Sequence, residues 1–312
     1  MRNPAANPGR LRGSERDLLG EDAVGARRRP LHRGGLTERL RGQPPKLIAA
    51  GDIGSCASTG DEATGQLLNS MPGTIAAVGD LAYDNGTALQ FLNCYDPSWG
   101  TQRARTQPAV GNHEYESTNA APYFAYFGAA AGDPAKGYYS YSLGSWHVIA
   151  LNSQCAQVGG CGVGSLQEQW LQADLQAHAG TCTLAYFHEP RFSSGEHGDE
   201  TDYLAFWQDL YNSGADVVLS GHDHVYERFA PQAPDGTADP ANGIREFVVG
   251  TGGGAHGYIS TIQPNSEVRD TSTNGVLSLT LHSGGYDWRF VPAAGGTFTD
   301  SGSQSCHWFG AG

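Results

Sequence analysis

The chain has 312 residues, 39% of them hydrophobic, with six cysteines and a formal net charge of −13. A chain of that length buries a sizeable core, and no apolar run in it approaches the roughly 18 residues of a membrane span. Residues 1–46 hold ten Arg and one Lys against five acidic side chains, which leaves 8 basic and 27 acidic in the remainder; so acidic a body repels polyanions and argues against nucleic-acid binding.

Residues 1–45 are rich in Arg, Gly and Pro without strand or helix periodicity, so a disordered or propeptide-like segment is predicted there. No apolar stretch follows Arg27-Arg28-Arg29, and a twin-arginine export signal is rejected. A single domain is predicted over 46–312, with no linker and no internal repeat. Its first strand, 46–50, runs into Gly51-Asp52-Ile53-Gly54, and a helix follows with Asp61 and Glu62 in its first turn. A second apolar run, 74–78, stops at Gly79-Asp80-Leu81-Ala82-Tyr83. A short helix is predicted over 87–93. The third run, 108–110, ends in Gly111-Asn112-His113-Glu114.

Residues 115–131 carry Tyr123, Phe124, Tyr126 and Phe127, a cluster that reads as core packing. Residues 137–143 alternate as a half-exposed strand, and 146–151 read as a buried one. Leu166, Trp170, Leu171 and Leu175 recur at helical spacing, with Gly180 beyond them. The fourth run, 183–187, ends in His188-Glu189-Pro190, where proline stops the strand, and the loop 191–198 carries His197. A helix over 202–212 is closed by Gly214. The fifth run, 216–220, ends in Gly221-His222-Asp223-His224-Val225-Tyr226-Glu227-Arg228. Strands at 245–249, 275–281 and 286–291 follow, the last two joined through Gly284-Gly285, and these C-terminal strands are predicted to complete the second sheet.

None of the six cysteines has the C-x-x-C spacing of a zinc site. The loop between Cys155 and Cys161 is short enough to close as a disulfide, and six cysteines leave 15 pairings open. An even cysteine count and only two lysines suit an oxidising compartment. A secreted or extracytoplasmic protein is therefore expected, although residues 1–45 show no recognisable signal peptide.

The five strand ends supply Asp52, Asp80, Tyr83, Asn112, His113, His188, His222 and His224. In open α/β sheets the ligand crevice lies beyond the carboxyl ends of the strands. Mixed carboxylate, amide and imidazole donors suit borderline or hard metal ions, and the lack of thiolate argues against structural zinc. Any one block is weak evidence, since a lone H-x-H is more often surface or core histidine. Five in order, each at a strand end, are a pattern.

The blocks G-D-x-G, G-D-x-x-Y, G-N-H-E, H-x-P and G-H-x-H-x-Y-E-R, in that order, resemble the calcineurin-like metallophosphoesterases, specifically their purple acid phosphatase branch. The resemblance spans about 46–308. It implies a four-layer α/β/β/α sandwich with a strand-rich C-terminal part. It also implies a binuclear phosphatase that hydrolyses phosphate monoesters by in-line attack of a metal-bound hydroxide. One ion is expected on Asp52, Asp80, Tyr83 and His224. The other is expected on Asp80, Asn112, His188 and His222, with Asp80 bridging. The wider superfamily has D-x-H in the first block; this chain has Gly54, and the branch compensates with a tyrosine where Tyr83 stands. A phenolate ligand implies Fe(III) beside Zn, Mn or Fe(II).

The resemblance assigns His113 to transition-state stabilisation or leaving-group protonation, with Glu114 expected to fix its ring. His197 is expected to be a second acid or a phosphate contact. Glu189 stands where close bacterial relatives often carry histidine, and its charge would disfavour multiply charged substrates unless it is turned away or protonated. Arg228 is expected in a salt bridge, and His147, His178, His256 and His282 in structural roles. A small phosphorylated substrate is expected, with neither nucleic acid nor membrane as partner, and the oligomeric state is left open. The alternatives are a phosphodiesterase with two divalent ions and, more remotely, a non-catalytic scaffold.

Overall fold

Residues 42–307 are described by a computed structural model, and the compact unit that contains both sheets begins at Pro44. The predicted disordered segment 1–45 lies almost wholly outside the described residues.

Two sheets form the centre of the unit. In the first, β1 (Lys46–Ala50), β2 (Thr74–Val78) and β3 (Thr106–Ala109) run parallel. Antiparallel to β1 comes β11 (Gly275–His282), then β12 (Gly285–Pro292) and β13 (Ser301–Ser305). In the second, β5 (Trp146–Ala150), β6 (Thr183–Tyr186), β7 (Val217–Ser220) and β9 (Arg245–Val249) are parallel neighbours. They are flanked by β4 (Tyr139–Leu143) on one side, and by β8 (Tyr226–Phe229) and β10 (Ser266–Asp270) on the other.

Side-chain alternation along the strands builds four layers from this arrangement. Leu47, Ala49, Ala76 and Val78 of the first sheet share one cluster with Val148, Leu184, Tyr186 and Leu219 of the second, so these faces pack on each other. The residues between them point outward. Ile48, Ala50, Ile75 and Ala77 meet Leu68 of α1 (Gly60–Leu68), the turn formed by α2 (Ala88–Gln90) and the π segment Phe91–Tyr95, and the aromatic residues Tyr123, Phe124 and Phe127. Those aromatic residues are core packing, as predicted. Ile149, Ala185 and Val218 meet Leu171 and Leu175 of α5 (Leu166–Ala177) and Phe206, Trp207 and Leu210 of α6 (Leu204–Asn212). The labels α3 and α4 denote Asn112–Tyr115 and Ala121–Phe127. The expected α/β/β/α sandwich is the observed fold.

Two expectations are corrected. The strands β11 and β12 complete the first sheet beside β1, not the second, because the apolar face of β11 (Leu277, Leu279, Leu281) packs into the inter-sheet core there. His282 pairs with Gly285, so the hairpin turn is Ser283-Gly284 and not Gly284-Gly285. Three strands, β8, β10 and β13, were not predicted as strands. All three disulfides are formed: Cys56–Cys94, Cys155–Cys161 and Cys182–Cys306. The last closes a separation of 124 residues, for which chain-entropy arguments give roughly 4–5 kcal/mol. Among the described residues, no helix is long and apolar enough to cross a membrane.

Candidate metal centre

The parallel strands β1, β2, β3, β6 and β7 all end at one edge of the two sheets, and the loop after each delivers its block there. Where β1 and β2 end, their pairing continues as a backbone ladder: Asp52 N–H donates to Gly79 O, Ile53 N–H to Asp80 O, and Gly54 N–H to Leu81 O. Asp52, Asp80 and His222 have positive φ of 60°, 52° and 68°, a conformation that costs of order 1–3 kcal/mol each and is held only where surroundings over-determine it. For Asp80 the holding group is Glu114. Its buried carboxylate accepts the N–H groups of Asp80 (3.0 Å), Leu81 (2.7 Å), Ala82 (3.3 Å) and Gly111 (2.9 Å). Glu114 therefore clamps the loop that carries Asp80 and does not fix the His113 ring as expected. The Nδ1 of His113 sits instead against the Asp84 carbonyl. Burial, with the charge of Asp80, pushes the Glu114 carboxyl up to about 7 even though Gly111 and Leu81 N–H favour its anion.

Around Asp80 two groups of donors meet. On one side Tyr83 Oη donates to Asp52 Oδ1 at 2.8 Å and lies 2.9 Å from His224 Nε2. His224 Nε2 is also 3.2 Å from Asp52 Oδ1. On the other side His188 Nε2 lies 3.1 Å from Asp80 Oδ2 and 3.0 Å from Asn112 Oδ1. His222 contributes a ring nitrogen within 4.8 Å of both His188 and Asp80. Gly111 is required for this approach, since a Cβ there would stand 2.2 Å from Asp80 Oδ1. Tyr83, Asp52, Asp80, His224, His188, Asn112 and His222 are thus gathered at one place.

The donor set fits a pair of cations. Asp52 and Asp80 are fully buried, each with an oxygen within hydrogen-bond reach of Tyr83 Oη, and buried like charges need compensation. The Nδ1 of His188 is 2.9 Å from the Val78 carbonyl and that of His224 lies on the Ala255 carbonyl. These bonds turn each Nε2 toward the carboxylates, the arrangement that orients metal-ligating histidines. Without metal, the imidazoles take the role of cation. Burial would raise the Asp52 carboxyl, but His224 and His188 hold it well below its usual range; against burial, His188 also lowers the Asp80 carboxyl. In return, against the opposing effect of burial, Asp80 lifts His188 to about 10 and Asp52 lifts His224 to about 9. Burial, aided by His188 and His197, drives His222 down to about 4, so it is a neutral donor.

Two further histidines face the centre. His113 is one-third exposed, stands edge-on to Tyr83 at 4.6 Å between ring centroids, and holds Nε2 3.7 Å from Asp80 Oδ2. His197 packs on His222, its ring tilted by 31° at 4.0 Å between centroids, and is hydrogen-bonded to Asp223, a residue given no role from sequence. Glu189 is tied sideways to Gln154 Nε2 at 2.5 Å, and burial raises its carboxyl. Arg228, on β8, pairs with Glu267 of β10 and with Asp300 just before β13. The other described histidines lie elsewhere: His147 on Asp174, His178 stacked on His147, His282 on Asp287, His307 on Asp216, and His256 exposed.

Residues 45–226 match the calcineurin-like phosphoesterase family. Purple acid phosphatase 15 of Arabidopsis thaliana is 26% identical over 247 residues, covering 67% of this chain and 45% of the relative. Purple acid phosphatase 23 of the same plant is 27% identical, covering 67% and 53%. The chain thus spans about half the length of these relatives. Among solved structures, purple acid phosphatase PPD1 from yellow lupin seeds superposes with a TM-score of 0.69 at 17% identity, over 84% of this chain and 53% of that one. GAP50, the anchor in the inner membrane complex of Plasmodium, gives 0.65 at 13% identity, over 85% and 89%. Family match, relatives and fold agree: this chain belongs to the calcineurin-like phosphoesterases, in their purple acid phosphatase branch.

Proposed function

We propose that the protein hydrolyses phosphate monoesters with two metal ions, one on Asp52, Asp80, Tyr83 and His224, the other on Asp80, Asn112, His188 and His222. The observation that carries this reading is the position of Asp80 Oδ2, 3.3 Å from Tyr83 Oη and 3.1 Å from His188 Nε2, so that one carboxylate serves both donor sets. When bound, such a pair clamps the phosphoryl group and supplies a nucleophile from water near neutral pH. The chain's own residues supply the rest. Glu114 holds the bridging carboxylate in its strained conformation. His113, with Nδ1 on the Asp84 carbonyl, presents Nε2 to oxygens that gain charge as the ester bond breaks. His197 is the second group on the substrate side.

Tyr83 favours a trivalent ion, so Fe(III) beside Zn, Mn or Fe(II) is proposed. Protein purified without added metal is expected to hold one iron and a second ion per chain, with a visible phenolate-to-iron band that disappears in Tyr83→Phe. Two divalent ions and no band would make Tyr83 a wall residue and favour the diesterase reading. The anchor GAP50 has the same fold, so fold alone does not establish catalysis. The complete donor set, with His113 beside it, favours an enzyme over a scaffold. We further propose a small phosphorylated substrate, neither nucleic acid nor membrane as partner, and export, which suits the three disulfides.

The ion-free pKa values set a pH dependence. His188 and His224, raised to about 10 and 9, carry protons at neutral pH that metal must displace. Metal affinity should therefore rise with pH until it passes those values. Adding zinc to metal-free protein at pH 7 is expected to release about two protons from these rings, and a third from the Tyr83 phenol where it binds as phenolate, measured in weakly buffered solution. Zinc uptake without proton release would show both imidazoles already neutral.

A further inference from the structure

We propose that Asp223 is the positioning residue for His197, fixing its ring so that Nε2 faces the leaving group of the substrate; this rests on the phosphoester reading above. Asp223 lies between His222 and His224 in the chain and is fully buried. Its Oδ1 accepts both the backbone N–H of His197 at 3.0 Å and the ring Nδ1–H at 2.8 Å. Its Oδ2 accepts the Ser193 hydroxyl, and the Gly195 N–H donates to that hydroxyl oxygen at 3.0 Å. The loop closes over the carboxylate so tightly that a Cβ at Gly195 would stand 2.3 Å from Asp223 Cγ. A buried carboxylate with three donors from one short loop is a built socket for what that loop carries.

The loop carries His197. Its side chain is 48% exposed, while its ring lies 4.0 Å from that of His222, so it borders the metal centre and opens to solvent. With Nδ1 committed to Asp223, Nε2 is the atom left to meet a substrate. The step this arrangement serves is departure of the alcohol. The oxygen of water forms a bond to phosphorus as one of its protons is lost to solvent, the ester P–O bond breaks, and the Nε2 proton passes to the departing oxygen. The ring is left neutral with Nδ1–H still on Asp223, and solvent returns the proton. The competing role for Asp223 is loop anchoring alone, through the backbone N–H of His197.

Leaving-group dependence separates these roles, because a poor leaving group needs the proton and a good one does not. In metal-matched preparations, Asp223→Asn is expected to lower kcat on an alkyl phosphate roughly 100-fold, but on 2,4-dinitrophenyl phosphate less than about threefold. Added to His197→Ala, Asp223→Asn should cost nothing further. Equal losses on both esters, or losses that multiply in the double variant, would reduce Asp223 to a loop anchor. A second readout does not depend on turnover. In zinc-loaded protein, nitrogen NMR should find His197 protonated at Nδ1, and Asp223→Asn should lose that preference; a wild-type ring protonated only at Nε2 overturns the proposal. If the wild type cleaves neither ester, the phosphoester reading fails, and with it the leaving-group role, while the NMR result still decides whether Asp223 holds the ring.

Discussion

Replacing Asp80 by Asn is expected to remove both metals and the activity together. The change is nearly isosteric, and the loop that carries the residue is held by Glu114 through backbone N–H groups of Asp80, Leu81 and Ala82, which the substitution leaves in place. The fold should therefore survive. What is lost is the one anionic oxygen that faces Tyr83 on one side and His188 on the other. An amide there offers either a weaker neutral oxygen or an N–H that repels a cation, and each donor set loses its shared ligand. Turnover should fall at least about 10³-fold, since two-metal activation is worth several kcal/mol and each 1.36 kcal/mol is tenfold in rate. Metal analysis and a thermal melt check this. A cooperatively folded Asp80→Asn protein with wild-type metal content would remove Asp80 from the centre.

Much of this arrangement was legible in the sequence because its central strands are parallel and covered on both faces. Such strands read as short continuous apolar runs, and β1, β2, β6, β7 and β9 have that form. Of these, β1, β2, β6 and β7, which feed the site together with β3, each run out within two residues into a polar one. Two of the three unpredicted strands are polar: β10 is Ser-Glu-Val-Arg-Asp and β13 is Ser-Gly-Ser-Gln-Ser, both at sheet edges where one face meets water. Their pairing is decided by the neighbours, β8 and β12, and by no pattern of their own. The destination of β11 was hidden for a related reason. Its alternating apolar residues suit either sheet, and only packing against Leu47 and Ala49 decides.

Around the site, the residues that could hold a metal announce themselves by type, whereas those that hold the holders do not. Glu114 stands next to His113 in sequence, which made the ring its obvious partner. The turn of α3 instead directs its carboxylate back to four N–H groups, on β2's exit loop and at Gly111. Asp223 looks like a spacer between two histidines, and its role appears only once the loop 193–197 folds over it. Contacts between residues far apart in the chain carry no local signal, and the same holds for disulfide pairing.

His113→Ala is expected to do the opposite of Asp80→Asn, keeping the metals and losing the rate. The side chain is not among the close contacts of the donor set: its Nε2 stands 3.7 Å from the nearest Asp80 oxygen, while Nδ1 is engaged by the Asp84 carbonyl. The His113 backbone N–H, which donates to Asp80 Oδ1 at 3.0 Å, is retained by alanine, so the bridging carboxylate keeps its orientation. The neighbouring ligand Asn112 is held independently, through its contact with His188. What alanine removes is an imidazole aimed at the substrate, whose contribution to proton transfer or charge stabilisation is typically 10²–10⁴-fold. The loss should appear in kcat with KM little changed, because the interaction strengthens only as charge develops on oxygen. Steady-state kinetics beside metal analysis separates the outcomes. A matching loss of metal would make His113 part of the ligand scaffold, and full turnover with full metal would leave His197 as the only imidazole on the substrate side.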